Sequence, residues 1–450
     1  MSARVNTASR PRVRVDLAPR PRVRVDLVAP PMSGHLHPTL GIARRLARDV
    51  DVRVISTPAA LPEIAAAGVP GHAMRSGDDN AIAAIVNPPH AVGHHPLRLH
   101  RQFTANLALL GGYRRELLNL WQHDPPALVL ADFAAPVAGS AALALGIPWW
   151  TTLRQPCAVE TPDGPPGYLG GWRPMPGPMG DVRDAAGRTV VRAFKQLMHR
   201  LHRRALIDLG FQSVYLADGY EAMYSPERIL ALGLAELEFP RTLPARLTFV
   251  GPVLYTPPTD AEPPPFVDGR RHVLITLGTH LPWRRDAVAS AIRDAARALP
   301  DVEFHVSDGD RASHRRESQG NVHRLGFVSY ARDLARYDVI VHHAGAGVLF
   351  HALSEGKPSV LLPSDYDQFD NAARLEHIGA GVRARRLPEL ARHITTALDD
   401  QTMRSRCRRL EGVIGAERAE DRVAELLLDR LHRRELHEID LLDDGAQRVD

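Results

Sequence analysis

Strand-like and helix-like stretches alternate along this chain in two series, and a proline-rich stretch separates them. This alternation constrains the fold more than any other feature. Strands joined through helices pair in parallel, with the helices covering both faces of the sheet. The first series runs VRVDLVAPP (Val23–Pro31), the helical PTLGIARRLARD (Pro38–Asp49), VDVRVIST (Val50–Thr57), ALVLAD (Ala127–Asp132), a further helix, and IPWWTT (Ile147–Thr152). The second runs HVLITLG (His272–Gly278), VEFHVSDG (Val302–Gly309), DVIVHHAG (Asp338–Gly345) and PSVLLP (Pro358–Pro363). Between them YTPPTDAEPPPFVDG (Tyr255–Gly269) reads as a stiff, exposed linker. A chain of 450 residues is too long for one ordinary core. The expected organisation is therefore a domain over 21–254, a linker over 255–269, a second domain over 270–415, and a C-terminal helix and tail over 416–450. Within the last, ERAEDRVAELLLDRL (Glu417–Leu431) is amphipathic and could dock on either domain.

Near the N-terminus one segment occurs twice, as RPRVRVDLAP (Arg10–Pro19) and RPRVRVDLVAP (Arg20–Pro30). The second copy runs directly into SGHLHP and its helix, so it is expected to be the first strand. Residues 1–20 read as a duplicated, disordered tail, with an extra edge strand as the alternative.

Composition narrows the function classes. The chain is 44% apolar and 24% charged, which is globular, and its net charge of +4 gives no reason to expect nucleic-acid binding. Two cysteines far apart, Cys157 and Cys407, argue against a disulfide framework or a cysteine metal site and fit a reducing cytoplasm. Residues 1–30 lack the apolar core of a secretory signal. FAAPVAGSAALALGIPWW (Phe133–Trp150) imitates a membrane span, but Pro136 and Pro148 make it a buried helix followed by a buried strand. Pro156–Pro178 is too rich in proline and glycine for a regular element and reads as a long loop.

Four places carry candidate chemistry. GHLHP (Gly34–Pro38) is the turn after the first strand, where open α/β sheets bind ligands. It offers His35 and His37, either as a catalytic group or as a helix cap. Asp132 ends another strand of the same sheet, and could hold a histidine tautomer or cap the next helix. HHAGAG (His342–Gly347) lets backbone approach a ligand ahead of a helix N-terminus, which suits a pyrophosphate, and ITLGT (Ile275–Thr279) is a second such turn. PSDYDQFDN (Pro363–Asn371) supplies Asp367 and Gln368, a pair suited to sugar hydroxyls. Asp365, Asp367 and Asp370 lack the accompanying His or Glu that a metal site would call for. His94, His95 and His100 read as loop histidines rather than zinc ligands.

The run DVIVHHAGAGVLFHALSEGKPSVLLPSDYDQFDN (Asp338–Asn371) resembles the donor-binding signature of family 1, UDP-glycosyltransferase-like enzymes, in their bacterial natural-product and macrolide branch. GHLHPTLGIARRLA, ITLGT and RLGFVSYARDLARYD (Arg324–Asp338) fall in the same family order. The resemblance spans nearly the whole chain from residue 21. It implies the GT-B architecture, α/β with two Rossmann-like doubly wound domains facing a cleft. It also implies inverting, metal-independent transfer of a hexose from a nucleotide-diphosphate sugar, a co-substrate rather than a cofactor, to a hydroxyl of a lipophilic acceptor. By this resemblance His35 is the general base and Asp132 orients it. His37 stands where the family usually has Asn. Thr279, His343, Gly345, Ala346, Gly347 and Val348 form the pyrophosphate site. Phe327 stacks on the nucleobase with Val328 beside it, and Asp367 and Gln368 hold the sugar. The acceptor would lie against Ala81–Arg101 and the loop Pro156–Pro178, with Trp149, Tyr168 and Trp172 as lining. The expected partners are small molecules; a homodimer is allowed, whereas nucleic acid and a membrane span are not expected.

Two departures from the family pattern matter. Val348 and Leu349 replace a hydroxyl residue after the glycines, and His351 stands where UDP-sugar enzymes often carry a ribose-binding Glu. The second departure resembles the dTDP branch, whose nucleotide lacks one ribose hydroxyl. The alternatives are a UDP-sugar-dependent enzyme acting on lipids or xenobiotics, and a non-catalytic nucleotide-sugar-binding homologue. A GT-B epimerase would need a carboxylate where His35 stands. A Rossmann dehydrogenase would need G-x-G-x-x-G after the first strand. If the first repeat copy is dispensable, a chain beginning at Arg20 melts at the same temperature as the full chain by circular dichroism; failure to fold would make that copy structural.

Overall fold

The computed structural model describes residues 22–88, 92, 95–277 and 285–446. The first strand, β1 (Arg24–Val28), lies inside the second repeat copy. Its one acid is not a surface residue. Asp26 is fully buried, accepts hydrogen bonds from Arg53 at 2.6 and 3.1 Å, and accepts another from Trp121 Nε1 at 2.7 Å. Arg53 is the register partner of Asp26 on the neighbouring strand, β2 (Asp51–Ser56). A buried carboxylate with three satisfied acceptor contacts is tolerable; one stripped of Arg53 would cost on the order of 3–5 kcal/mol.

The sheet continues through β3 (Gly71–Ala73), β4 (Leu128–Asp132), β5 (Trp149–Leu153), β6 (Ile229–Ala231) and β7 (Leu247–Phe249). All pairings are parallel, in the order β3-β2-β1-β4-β5-β6-β7. β4 and β5 are buried along their whole length, as expected of central strands covered on both faces. The span-like stretch resolves into the helix Pro136–Ala144 and β5, with the Trp149 ring packed so tightly on Gly139 that any Cβ there would overlap it.

The second sheet holds β8 (Arg271–Thr276), β9 (Val302–Ser307), β10 (Arg316–Gln319), β11 (Val322–Leu325), β12 (Val339–His342), β13 (Ser359–Leu361) and β14 (Gly381–Arg383). Its order is β10-β11-β9-β8-β12-β13-β14, parallel except for the antiparallel pair β10–β11. In both sheets the strand order reverses beside the first strand, between β1 and β4 and between β8 and β12. Ligand crevices of doubly wound folds open at the carboxyl ends of the strands at these points.

Two sequence expectations are refined. The linker is not wholly exposed: Tyr255, Pro257 and Pro264 are buried, and Arg311 and Arg332 hold its carbonyls at Pro258 and Ala261. Proline removes backbone donors but leaves carbonyls, which arginine can cover. The C-terminal helix, Ala419–Ala446, returns to the N-terminal domain. There Val423, Ala424, Leu427 and Leu431 join the cluster formed by Leu40, Ala43 and Leu46, and Asp421 pairs with Arg45. Leu427 is fully buried, so Leu427→Ala is expected to lower stability by about 2–4 kcal/mol in urea unfolding; an unchanged midpoint would show that the helix does not dock there.

Candidate active site

The helix Ser33–Leu46 starts shortly after β1, and His35 lies in its first turn. Asp132 is the last residue of β4, the strand beside β1. Neighbouring strand ends thus bring together two residues 97 positions apart: His35 Nδ1 lies 2.8 Å from Asp132 Oδ1. Asp132 is 3% exposed and also accepts from the Ala134 N–H at 2.8 Å. A carboxylate only accepts, so Nδ1 carries a proton, and in the neutral imidazole Nε2 keeps its lone pair. Among the described residues Nε2 has no hydrogen-bond partner. His37 is engaged elsewhere: its Nε2 lies 2.8 Å from Glu63 Oε1, and Arg311 of the second domain binds the same oxygen at 2.9 Å.

In the second domain the chain turns sharply after β12. Ala344 adopts φ +67°, and its N–H donates to His342 Nδ1 at 3.1 Å. Burial pushes the His342 imidazole down to about 3, so it stays a neutral acceptor. Gly345 precedes the helix Ala346–Ser354, whose first turn holds no acidic residue. A Cβ at Gly345 would overlap the His343 ring, so the imidazole can fold over this turn only because the residue is glycine. Asn371 Nδ2 donates to the Ala344 carbonyl at 3.1 Å and fixes the turn from below. The unpaired N–H groups of the helix start offer a place for an anion.

Asp367 precedes the helix Gln368–His377. Gln368 Oε1 accepts from the backbone of Ser364 and Asp365 at 2.8 and 3.2 Å, so its carbonyl holds its own loop and its Nε2 is the group left for a ligand. The neighbouring acids serve as backbone acceptors across the cleft. Asp365 Oδ2 takes the Val92 N–H at 2.8 Å, and Asp370 Oδ2 takes the Tyr168 N–H at 2.9 Å. The described residues contain no cluster of His, Cys, Asp and Glu suited to a metal ion.

The remaining expected residues are placed as follows. Phe327 is half-buried with the Arg311 guanidinium 5.7 Å from its ring centre. Val328 and Val348 are buried, so only their backbones can meet a ligand. His351 lies 5.4 Å from Tyr330, and burial, aided by the nearby His37, pushes its imidazole down to about 4. Thr279 lies outside the described residues, as do residues 89–91 and 93–94 of the expected acceptor stretch, His94 among them. Trp149 needs correction: it is core beneath the helix Pro136–Ala144 and does not line a cleft. Tyr168, at φ +63°, is exposed, and Trp172 packs on Gly187 with Arg183 at 5.1 Å.

Two further residues belong here. Arg154 and Gln155 follow β5 directly. The Arg154 guanidinium lies against Gly34 beside His35, with its buried Nε unpartnered. Gln155 is 5% exposed, and neither polar atom of its amide has a partner. It lines a narrow interdomain gap with Leu237, Ala346, Leu349, Phe350, Asn371 and Arg374. Both were findable by the rule that located His35 and Asp132, namely polar residues just beyond the carboxyl end of a central strand.

Residues 294–429 match the family described as erythromycin biosynthesis protein CIII-like, C-terminal domain. The 4'-demethylrebeccamycin synthase of Lentzea aerocolonigenes is 24% identical over 402 residues, 84% of this chain and 93% of that protein. The crystal structure of the glycotransferase of kitacinnamycin superposes with a TM-score of 0.72 at 22% identity, covering 92% of this chain and all of that one. SsfS6, a glycosyltransferase of Streptomyces sp. SF2575 solved with thymidine diphosphate, gives a TM-score of 0.64 at 19% identity, covering 90% and 99%. The chain is a glycosyltransferase of the GT-B fold.

In this glycosyltransferase one acid works against neutral-pH stability. Burial raises the Asp370 carboxyl from 3.8 to about 6, although Arg374 and the Tyr168 N–H pull the other way. An acid with a raised folded pKa binds protons more readily folded than unfolded. Its contribution is therefore full at low pH and is lost as pH rises from about 4 through about 6. Asp370→Asn should match the parent's unfolding free energy in urea near pH 4 and exceed it above pH 7 by on the order of 2 kcal/mol; a difference independent of pH would contradict this.

Proposed function

We propose that the enzyme transfers a deoxyhexose from a dTDP-sugar to a hydroxyl of a lipophilic natural-product acceptor, with inversion and without a metal ion. The observation that carries this reading is the 2.8 Å His35–Asp132 contact in one domain, with an uncapped helix start at Gly345 in the other. His35 Nε2 takes the acceptor proton as the oxygen attacks the anomeric carbon. Asp132 stabilises the imidazolium that forms. The departing diphosphate gains negative charge where the backbone N–H groups of Gly345–Val348 and the helix dipole meet it. A single displacement inverts the centre. A retaining route would call for a carboxylate nucleophile, and Asp132 is engaged with His35.

Support for dTDP comes from His351. An imidazole held neutral accepts from one hydroxyl, whereas a carboxylate suits a diol. The thymidine diphosphate bound to the structurally similar SsfS6 agrees with this reading. Gln155, with an amide donor and acceptor both unpartnered, faces the same gap as the helix start and would suit the sugar hydroxyls. The natural-product acceptor follows the 4'-demethylrebeccamycin synthase comparison.

His35→Ala should reduce transfer by about 10²–10⁴-fold while nucleotide affinity by calorimetry stays within about twofold. Unchanged transfer would remove the proposed base, and lost binding would point to a donor-site role instead. Measured on one sugar, turnover should be greater with the dTDP donor than with its UDP counterpart; a strong UDP preference would overturn the donor assignment.

A further inference from the structure

The helix Pro178–Leu201 carries a stripe of exposed apolar side chains that no described residue covers. Met179, Val182, Val190, Leu197 and Leu201 are 81%, 70%, 60%, 51% and 61% exposed. Their spacing puts all five on one helical face, and the exposed Ala186 and Ala193 fill the gaps between them. The opposite edge of the helix is anchored by Gly180, Asp184, Gly187 and Met198, which are buried. The 24 residues extend about 36 Å. A contiguous apolar surface of this kind marks an interaction site rather than ordinary surface.

Charge selects the occupant. Most cations of this helix are engaged: Arg183 pairs with Asp184, Lys195 with Glu160 and Glu221, and Arg188 and Arg192 bind the carbonyls of Gly164 and Gly219. Arg200, Arg203 and Arg204 differ. All three are exposed, none has an ion pair or hydrogen bond among the described residues, and they cluster where the stripe ends. Asp208 is the one acid of that last segment, a full turn beyond Arg204. An anionic bilayer meets both features, taking the apolar side chains into its interfacial layer and the arginines at its headgroups.

We infer that this face is a docking surface for an anionic membrane, lying in the interface without crossing it. It is continuous with the loop that ends at Pro178, so the docked enzyme presents that loop to the bilayer. The inference stands apart from the proposed chemistry, because its test reads binding rather than transfer.

The full chain is sedimented with phosphatidylcholine vesicles with and without phosphatidylglycerol. Binding is expected only with phosphatidylglycerol and should weaken as salt rises. The combined variant Val190→Gln, Leu197→Gln, Leu201→Gln should bind about tenfold or more weakly, with Leu197→Gln alone intermediate. Arg200→Gln, Arg203→Gln, Arg204→Gln together should abolish the phosphatidylglycerol preference. Leu143→Gln, at an equally exposed position elsewhere, should change nothing. Should the combined variant fail to fold, the single variant decides. No binding to either vesicle, or undiminished binding by the stripe variants, overturns the inference. So does a dimer by light scattering that Leu197→Gln converts to monomer, which would give the stripe to a second copy.

Discussion

The hydrogen bond between His35 Nδ1 and Asp132 depends on β1 and β4 lying side by side, and the catalytic reading depends on that bond. The two residues meet because a parallel doubly wound sheet reverses its strand order between β1 and β4, leaving both strand exits at one crevice. The sheet is held firmly where it matters. β4 is buried throughout, and Asp26 locks β1 to β2 through Arg53 and to the helix Pro96–His123 through Trp121. A base must stay within a fraction of an ångström of its working position, and strand ends set in such a sheet satisfy that better than a free loop would.

The second domain is joined to the first by polar contacts concentrated between Asp365 and Arg374. Val92 and Tyr168 donate backbone N–H groups to Asp365 and Asp370, and Arg374 binds Glu238 at 2.5 and 3.0 Å with both residues almost fully buried. Such a pair is expensive to desolvate, so it specifies an arrangement more than it stabilises the fold. The loop around Tyr168 is therefore fixed by the segment that also carries Asp367 and Gln368. A ligand that shifts one must disturb the other. Arg311, bridging Glu63 and the face of Phe327, makes a second such link near the expected nucleobase position.

Much of this was legible in the sequence because it follows from local patterns. Alternating strands and helices fix which residues sit at strand ends, and His35 and Asp132 are polar residues at those ends. The turn at Gly345 was visible from its glycines, although the reason for that glycine, the His343 ring above it, is a tertiary fact. Trp149 misled because an aromatic residue near a strand start reads the same whether its ring meets a cleft or a helix; only the packing on Gly139 decides. The linker looked exposed from its prolines, and the arginines that cover its carbonyls come from distant positions. The docking side of the C-terminal helix was likewise unreadable, since an amphipathic face shows that something is covered but not by what.

The proposed mechanism turns on a tautomer: His35 protonated at Nδ1, toward Asp132, with Nε2 left to take the acceptor proton. Nitrogen-15 NMR of the selectively labelled imidazole measures it directly at neutral pH. The structure predicts a pyrrole-type shift at Nδ1 and a pyridine-type shift at Nε2, with that distinction lost in Asp132→Ala. The proton on Nε2 in the unmodified chain, or no response to loss of Asp132, would contradict the mechanism built on that bond.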